Sequence, residues 1–434
     1  MKTAVLNVGM VVAAVLSGCG TKMPDDVKEV RAFISENLPK TVRFQTEDEG
    51  IYFGLPRPYS VPAIKGMFQE MYYWDTFFMN KGLIADGQLE QAKNNTENIL
   101  YLIDRFGFMP NGSHRLFLSR SQPPYASMMV RAVYEQTGDK EWLAKACKTL
   151  ETEYNGFWMA DRLAPNGLNR YGNQADDKEL LEFYEYLFSR FPNFDTTGIE
   201  TDKDKRKVGS HFIAEAESGW DFTPRFDSRC GDFNPIDLNC NLYMYEKNFE
   251  FYYSELGWEG SEKWVGLAKK RKALINQYCC NPKDGLFYDH DFVNNKLSPV
   301  FSSANFNVLW SGVATPEQAA NVWKNLPRLE LDHGVTACEP AEQKQVYQWD
   351  APNGWANLQY LAIFGLEKFG YKEDAKRIAD KYTDIVVKNF KATGNIWEKY
   401  NVAEGTINVN NEYEMPPLMG WSASVFIITS EYKK

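Results

Sequence analysis

Apolar residues recur at steps of three and four along most of the chain, and strictly alternating segments are few. This spacing predicts amphipathic helices. Clear examples run over residues 87–107, 139–163 and 354–370, and glycine or proline stands near most of the ends, where helices are expected to start or stop. The pattern therefore predicts an all-α protein.

Short turns join several of these helices in pairs. Residues 137–142, 256–264 and 369–375 allow only tight connections, so each pair is predicted to form an antiparallel hairpin. The first helix of each pair carries bulky aromatic residues, and the second carries Lys and Glu on an outer side. This alternation predicts a ring of hairpins, in a single domain over residues 31–434. The absence of a sequence repeat at a fixed period argues against a solenoid.

The first residues have the features of an export signal. Lys2 precedes an apolar run at residues 8–16, and the sequence LSGC ends at Cys19. This lipobox pattern predicts a lipoprotein signal peptide over residues 1–19, lipidation of Cys19 and a tether over residues 20–30. The run is too short for a permanent transmembrane helix, so the lipid anchor is the only expected membrane contact, in the periplasm or at the cell surface. A plain secretory signal is the alternative.

The composition narrows the classes of partner. Aromatic residues make up 15% of the chain, with 12 Trp, 24 Tyr and 28 Phe, enough to fill a core and leave rings for an open cleft. Such a cleft suits a sugar, which is flat on one side and polar at its rim. The net charge of −10 and the pI near 5.2, without a basic stripe, exclude nucleic acid as a partner.

Cysteine and histidine do not indicate a metal or a cofactor. Six of the seven cysteines follow Cys19, too few for a disulfide framework in so long a chain. We expect mostly free, buried thiols, and Cys230 with Cys240 remains a possible bridge. The four histidines are scattered and there is no CxxC motif, so no metal site and no cofactor are predicted.

Five segments break the helical pattern, and each places Trp or Tyr beside charged or amide residues at the end of a helix. They span residues 67–78, 109–124, 214–226, 347–360 and 397–402. Any one of them could be a core aromatic beside a helix-capping acid. Five together favour loops on one face of the ring that bind a polyhydroxylated ligand, with rings for its C–H faces and polar groups for its hydroxyls.

These segments resemble the trehalase family of glycoside hydrolases in content and in order, over roughly residues 60 to 430. The resemblance is carried by QEMYYWDTFF (69–78), PNGSHRLFLSRSQPP (110–124), AESGWDFTPRF (216–226), QWDAPNGWANLQ (348–359), and WEKYNV (397–402) followed by NEYEMPPLMGW (411–421). It implies an (α/α)6 barrel that hydrolyses an α-glucosidic bond with inversion. The expected partner is a small α-linked di- or oligosaccharide.

The resemblance also implies roles for individual residues. Asp221 would be the general acid that protonates the leaving oxygen, and Glu398 the base that activates water on the other face of the sugar ring. The apolar surroundings that Trp220 and Phe222 offer would raise the pKa of Asp221, as an acid near neutral pH requires. The predicted substrate-binding residues are Phe68, Trp74, Asp75, Asn111, Arg120, Gln122, Trp220, Gln348, Trp349, Asp350 and Glu412.

The chain also departs from the family pattern. Met67 stands where an arginine is usual, and an arginine-containing segment is missing from residues 176–210. The basic run at residues 203–207 could compensate by folding inwards, although such runs are more often solvated. Trehalose and a related short α-glucoside both remain open as substrates. The alternatives are an α-glycosidase of different sugar specificity, a non-catalytic sugar-binding lipoprotein, and a phosphorylase, against which Glu398 argues.

Overall fold

The structure, a computed structural model, describes residues 22–434, so Cys19 and the predicted signal peptide lie outside the described residues. The helices in this part of the chain are α1 (Asp25–Asn37), α2 (Tyr73–Ala85), α3 (Leu89–Phe106), α4 (Ala126–Thr137), α5 (Lys140–Glu153), α6 (Asp177–Arg190), α7 (Asp202–Glu217), α8 (Ile236–Leu256), α9 (Ser261–Tyr278), α10 (Asn305–Ser311), α11 (Pro316–Lys324), α12 (Ala356–Lys368), α13 (Lys372–Thr393) and α14 (Gly420–Thr429).

Short strands stiffen the connections between helices. They are β1 (Val42–Arg43), β2 (Tyr59–Ser60), β3 (Phe233–Asn234), β4 (His290–Asp291), β5 (Lys296–Leu297), β6 (Glu330–Leu331), β7 (Gly334–Val335), β8 (Asn353–Trp355) and β9 (Lys399–Asn401). All of their pairings are antiparallel, namely β1 with β2, β3 with β4, β4 with β5, β6 with β7 and β8 with β9. The last pairing sets Gly354 opposite Tyr400 and so joins two of the aromatic segments.

Twelve of the helices form a closed double ring. The inner helices α2, α4, α8, α10, α12 and α14 contact one another in this order, and α14 contacts α2 to close the circle. Outside them lie α1, α3, α5, α9, α11 and α13. The predicted all-α fold and the (α/α)6 barrel are confirmed, and so are the three hairpins α4–α5, α8–α9 and α12–α13.

The sequence of each helix explains its layer. Every residue of α14 is buried, as expected for a helix that is hydrophobic on all sides. The outer helix α13 buries a single stripe that includes Ala375, Ile378 and Tyr382, at the spacing of one helical face. Inner helices also approach closely, because a Cβ atom at Gly82 of α2 would lie 2.3 Å from the Cβ of Ser424 in α14. Larger residues would push these two helices apart.

The connections differ between the two faces of the ring. The turns that lead from an inner to an outer helix are short, as at residues 86–88, 138–139 and 369–371, whereas those from an outer to an inner helix are long. All five aromatic segments lie in the long connections or extend from them into the first turns of an inner helix. One face of the barrel therefore carries the candidate site.

Helices α6 and α7 form an additional hairpin in the long connection between α5 and α8. This α6–α7 hairpin has its own apolar cluster, which is separate from the main core and consists of Leu187, Phe191, Phe212 and Phe222. Phe222 is the residue that follows Asp221, so the cluster ends beside the predicted acid. The hairpin is thus a separately packed unit at the edge of the candidate site.

The remaining sequence expectations concern thiols, metals and membranes. The six cysteines after Cys19 are free, and all but Cys280 are buried. Within residues 22–434, His, Cys, Asp and Glu form no group of three or more that could hold a metal ion. In the same range no helix is both long and apolar enough to cross a membrane.

Candidate active site

A cavity of about 410 Å³ opens at the face of the barrel that carries the long connections. It brings together Asp221, Arg120 and Glu412, which the sequence analysis placed in three separate motifs. Its other walls come from Ala216, Phe222, Glu182, Phe183 and Tyr186. The volume lies within the range of about 300–1,000 Å³ that is usual for small-ligand pockets.

Asp221 is held by the segment that precedes α12. Gln348 Nε2 donates a hydrogen bond to the main-chain oxygen of Asp221, and Trp349 N donates to the oxygen of Phe222 at 3.1 Å. Burial raises the pKa of the Asp221 carboxyl to about 6; the charge of Arg120 opposes this rise and the charge of Glu398 adds to it. The carboxyl can therefore keep its proton at mildly acidic pH.

Glu398 has different surroundings. Its Oε2 accepts a hydrogen bond from Lys399 Nζ at 2.7 Å, and its Oε1 accepts one from the hydroxyl of Tyr413 at 2.8 Å. Its main-chain oxygen accepts from Trp421 Nε1 at 3.2 Å and from Ser422 Oγ at 3.1 Å. Both ends of the residue are thus fixed, and an ammonium group compensates the buried carboxylate.

Two further carboxyls of the candidate site have raised pKa values. Burial, with the charges of Glu398 and Asp221 adding to it, raises the pKa of Asp75 in the first turn of α2 to about 8. Burial and the charge of Asp221 raise the pKa of Glu412 to about 8, and Arg190 opposes the rise. At neutral pH both groups carry a proton and can donate hydrogen bonds to a ligand.

Five tryptophan rings pack together beside the segments that carry these carboxyls. Trp349 and Trp355 stack with ring centres 3.7 Å apart and an interplanar angle of 1°. Trp74 lies 5.4 Å and Trp220 5.2 Å from Trp349, measured between ring centres. Trp421 contacts Trp74, Trp349 and Trp355. Trp74, Trp220 and Trp349 are at most 5% exposed and belong to the main core, and none of the three is among the residues that line the main cavity.

Several predicted residues hold the loops of the site. Asn111 Nδ2 donates to the oxygen of Ser121 at 3.1 Å, and the side-chain oxygen of Gln122 accepts from Trp74 N at 3.3 Å. Asp350 accepts from Ala351 N at 2.8 Å, and burial raises its pKa to about 6. The contact of Gln122 ties the second motif to the start of α2, while those of Asn111 and Asp350 lie within their own motifs.

The opening residue of the ESGWD motif has a similar supporting role. Glu217 is fully buried, accepts two hydrogen bonds of 2.8 Å from Arg162 and one of 2.8 Å from Ser121 N. The arginine later in this motif, Arg225, points away from the acid and forms buried ion pairs with Asp237 and Asp289.

Phe68 lies outside the main cavity. It lines a second cavity of about 300 Å³ together with Met67, Tyr72 and others, and its ring centre is 5.3 Å from that of Tyr413. Phe68 therefore approaches the candidate site through Tyr413, which donates to Glu398, and through Tyr72, whose ring centre lies 5.6 Å from its own.

Three buried polar atoms of predicted residues have no hydrogen-bond partner in the described part of the chain. They are Arg120 Nε, Gln348 Oε1 and Trp349 Nε1. Of these three residues Arg120 lines the main cavity, where its guanidinium can bind a polar ligand, whereas Gln348 and Trp349 hold the main chain of Asp221 and Phe222. The guanidinium of Arg120 also lies over the rings of Phe117 and Phe183, at 5.1 and 5.5 Å from their centres.

Sequence reasoning missed part of this arrangement. It did not identify Lys399 and Tyr413 as the donors to Glu398, or α6 as a wall of the cavity, although Phe183 and Tyr186 stand three residues apart as on one helical face.

The basic run at residues 203–207 does not fold inwards. It lies in α7, where Lys205 approaches Asp202 at 4.0 Å and Arg206 approaches Asp177 at 3.5 Å.

Known proteins resemble this chain over nearly its whole length. A periplasmic trehalase from Xanthomonas axonopodis pv. citri is 31% identical over 418 residues, which cover 92% of this chain and 72% of the relative. A putative periplasmic trehalase from Salmonella typhi is 31% identical over 399 residues, which cover 86% of this chain and 67% of the relative.

Solved structures give the same result. Neutral trehalase Nth1 from Saccharomyces cerevisiae has a TM-score of 0.74 and 26% identity, covering 95% of this chain and 80% of that one. A GH63 mannosylglycerate hydrolase from Thermus thermophilus, with a TM-score of 0.62, 16% identity and coverage of 92% and 99%, shares the fold. The family model described as trehalase matches residues 20–432. The chain therefore belongs to the trehalase family of glycoside hydrolases.

Proposed function

We propose that this protein hydrolyses trehalose with inversion at the anomeric carbon, using Asp221 as general acid and Glu398 as general base. The observation that carries the proposal is the contrast between the two carboxyls. Asp221 has a raised pKa, whereas Glu398 is compensated by an ammonium group and a hydroxyl. Two carboxyls in unlike settings are the arrangement that acid and base roles require.

The reaction follows from these settings. Asp221 gives its proton to the glycosidic oxygen as the bond from that oxygen to the anomeric carbon breaks. Glu398 takes a proton from a water molecule, and the water oxygen bonds to the anomeric carbon from the opposite face. The products are two glucose molecules, and exchange with solvent restores both carboxyls. An inverting pair is expected to hold its carboxyls about 6.5–9.5 Å apart, with room for the water.

The remaining polar groups suit the recognition of sugar hydroxyls. Arg120 offers N–H donors with one buried nitrogen unpaired, while Asp75 and Glu412 carry protons at neutral pH. The names of the relatives from Xanthomonas and Salmonella support trehalose as the substrate.

The proposal is tested by following the anomers of glucose by proton NMR during the first turnovers on trehalose. Inversion releases α- and β-glucose in equal amounts, because the leaving unit keeps its α configuration and the attacked unit becomes β. Initial release of α-glucose alone would mean retention. Binding without glucose release would identify a sugar-binding protein, and strict dependence on inorganic phosphate would identify a phosphorylase.

We also propose a location in the cell envelope, with the chain exported by residues 1–19 and anchored by a lipid on Cys19. The LSGC pattern and the periplasmic relatives support it. Mass spectrometry of the mature N-terminus tests the anchor, and Cys19→Ser should move the protein from the membrane fraction to the soluble one. An unmodified N-terminus at another residue would mean a plain secretory signal.

A further inference from the structure

We infer that α6, which is not one of the twelve ring helices, provides the binding wall for the leaving sugar, and that Arg190 is the positioning residue of this wall. The inference rests on the proposed hydrolysis and concerns the same site. It assigns substrate recognition to the α6–α7 hairpin, in the stretch where the arginine-containing segment of the family is missing.

The wall is one face of a helix. Glu182, Phe183 and Tyr186 line the main cavity, and Arg190 stands one turn after Tyr186 on the same side. Tyr186 is 43% exposed, which makes it one of the few large aromatic residues that the fold leaves uncovered. An exposed ring and a carboxylate on a cavity wall match a sugar, whose C–H face packs on the ring and whose hydroxyls donate to the carboxylate.

Arg190 joins this wall to the opposite side of the cavity. Its Nε donates to the hydroxyl of Tyr186 at 2.8 Å, and its guanidinium carbon lies 5.0 Å from the centre of that ring. Its Nη1 donates to the main-chain oxygen of Glu412, and its Nε lies 3.8 Å from Glu412 Oε2. One side chain therefore orients two residues that line the cavity, and the cation faces a carboxyl there.

The chemistry decides which sugar the wall faces. The general acid protonates the oxygen that departs with the leaving sugar, so the space beside the acid belongs to that sugar. The cavity is lined by Asp221 and does not include Glu398 among its lining residues. Phe222, next to the acid, packs in the cluster of the α6–α7 hairpin with Phe191 and Phe212, at 5.7 and 4.9 Å between ring centres. The hairpin thus lies on the leaving-group side.

The test compares two substrates that differ only in the leaving group. Trehalose loses a whole sugar, whereas α-glucosyl fluoride loses a single atom and has nothing to place against α6. We expect Arg190→Gln and Tyr186→Ala to lower the ratio of kcat/KM on trehalose to kcat/KM on α-glucosyl fluoride by about ten- to a hundredfold, the effect of losing a hydrogen bond to a charged group. The loss should fall mainly on KM for trehalose, and Arg190→Lys should restore part of it.

Arg206→Gln is the matched control. It removes a cation from the same hairpin, but the partner of that cation, Asp177, does not line the cavity. It should leave the ratio at the wild-type value. An unchanged ratio in the Arg190 and Tyr186 variants would overturn the inference. If kcat/KM fell equally on both substrates, the two residues would have a general structural role. If the wild type hydrolyses neither substrate, it is the proposed function that fails. If it hydrolyses α-glucosyl fluoride but not trehalose, the protein is a glucosidase for another leaving sugar. The ratio of kcat/KM values is then measured with a substrate that carries that sugar.

Discussion

The ammonium group of Lys399 lies 2.7 Å from Glu398 Oε2, and both side chains are buried. The two residues are neighbours in the chain, and the cation is also 4.5 Å from the centre of the Trp355 ring. A buried charge is tolerated only when it is paired and hydrogen-bonded. The carboxylate of the proposed base is therefore paired with the ammonium group of its own neighbour in the chain.

This pairing predicts a strong effect of Lys399→Met. Leaving the buried carboxylate uncompensated should lower the free energy of unfolding by about 3–5 kcal/mol. The double variant Glu398→Gln with Lys399→Met should regain part of that loss, since no charge is then left alone. Urea unfolding of the two single variants and the double variant measures the coupling, and strictly additive effects would argue against the pair.

Asp221→Asn removes a proton donor while keeping the shape of the side chain. We expect the rate on trehalose to fall by about 10²–10⁴, the usual contribution of acid catalysis. Turnover of α-glucosyl fluoride should fall much less, because fluoride leaves without a proton. Asp227→Asn, at an exposed aspartate six positions later in the same loop, is the control. A variant that keeps more than about a tenth of the trehalose rate would mean that another group is the acid.

Glu398→Ala should abolish hydrolysis of trehalose, because no group then accepts the proton of the attacking water. Azide needs no base, so adding it should partly restore cleavage and give the inverted β-glucosyl azide. Glu404→Ala, at an exposed glutamate in the turn after β9, should behave as the wild type. Formation of the α-azide would point to a double displacement.

The pKa of Asp221, raised to about 6, predicts the alkaline side of the pH profile. The acid acts only while protonated, so kcat/KM on trehalose should fall as the pH rises through about 6. The profile on α-glucosyl fluoride should lack this limb. An identical decline on both substrates would assign the titration to a different group.

Asp75 predicts a dependence of stability on pH. Its pKa rises from 3.8 to about 8 on folding, so the folded protein holds a proton that the unfolded chain releases, and stability falls as the pH rises through this window. Asp75→Asn cannot ionise, so its Tm should rise relative to that of the wild type as the pH increases from about 4 to about 8, between the unfolded and the folded pKa of Asp75. A constant difference in Tm across this range would contradict the raised pKa. Activity should be lost in the variant.

The sequence predicted the helices and their layers, which depend on local hydrophobic pattern, and the site residues that lie in family motifs. Periodicity is sufficient for the double ring, because an inner helix such as α14 is apolar on all sides and an outer one such as α13 on a single stripe. The motifs also identified Asp221 and Arg120, which meet in one cavity.

The parts that were missed depend on contacts between distant segments. Arg190 meets Glu412, 222 positions further along the chain, through the packing of a hairpin that has no counterpart in the ring. Such a contact leaves no period or spacing in the sequence. The role of Trp220 as a ligand contact stays a prediction, and its burial against Trp349 likewise depends on a contact between distant segments.

The stacked indoles of Trp349 and Trp355 provide an optical signal for this region. Parallel aromatic rings at 3.7 Å couple their electronic transitions, and three more tryptophans surround the pair. Near-ultraviolet circular dichroism should therefore show a strong band from this tryptophan cluster, and tryptophan emission should change when a sugar binds in the site. These spectra therefore report whether the tryptophan cluster of each variant is packed as in the wild type, without a label and without an activity assay.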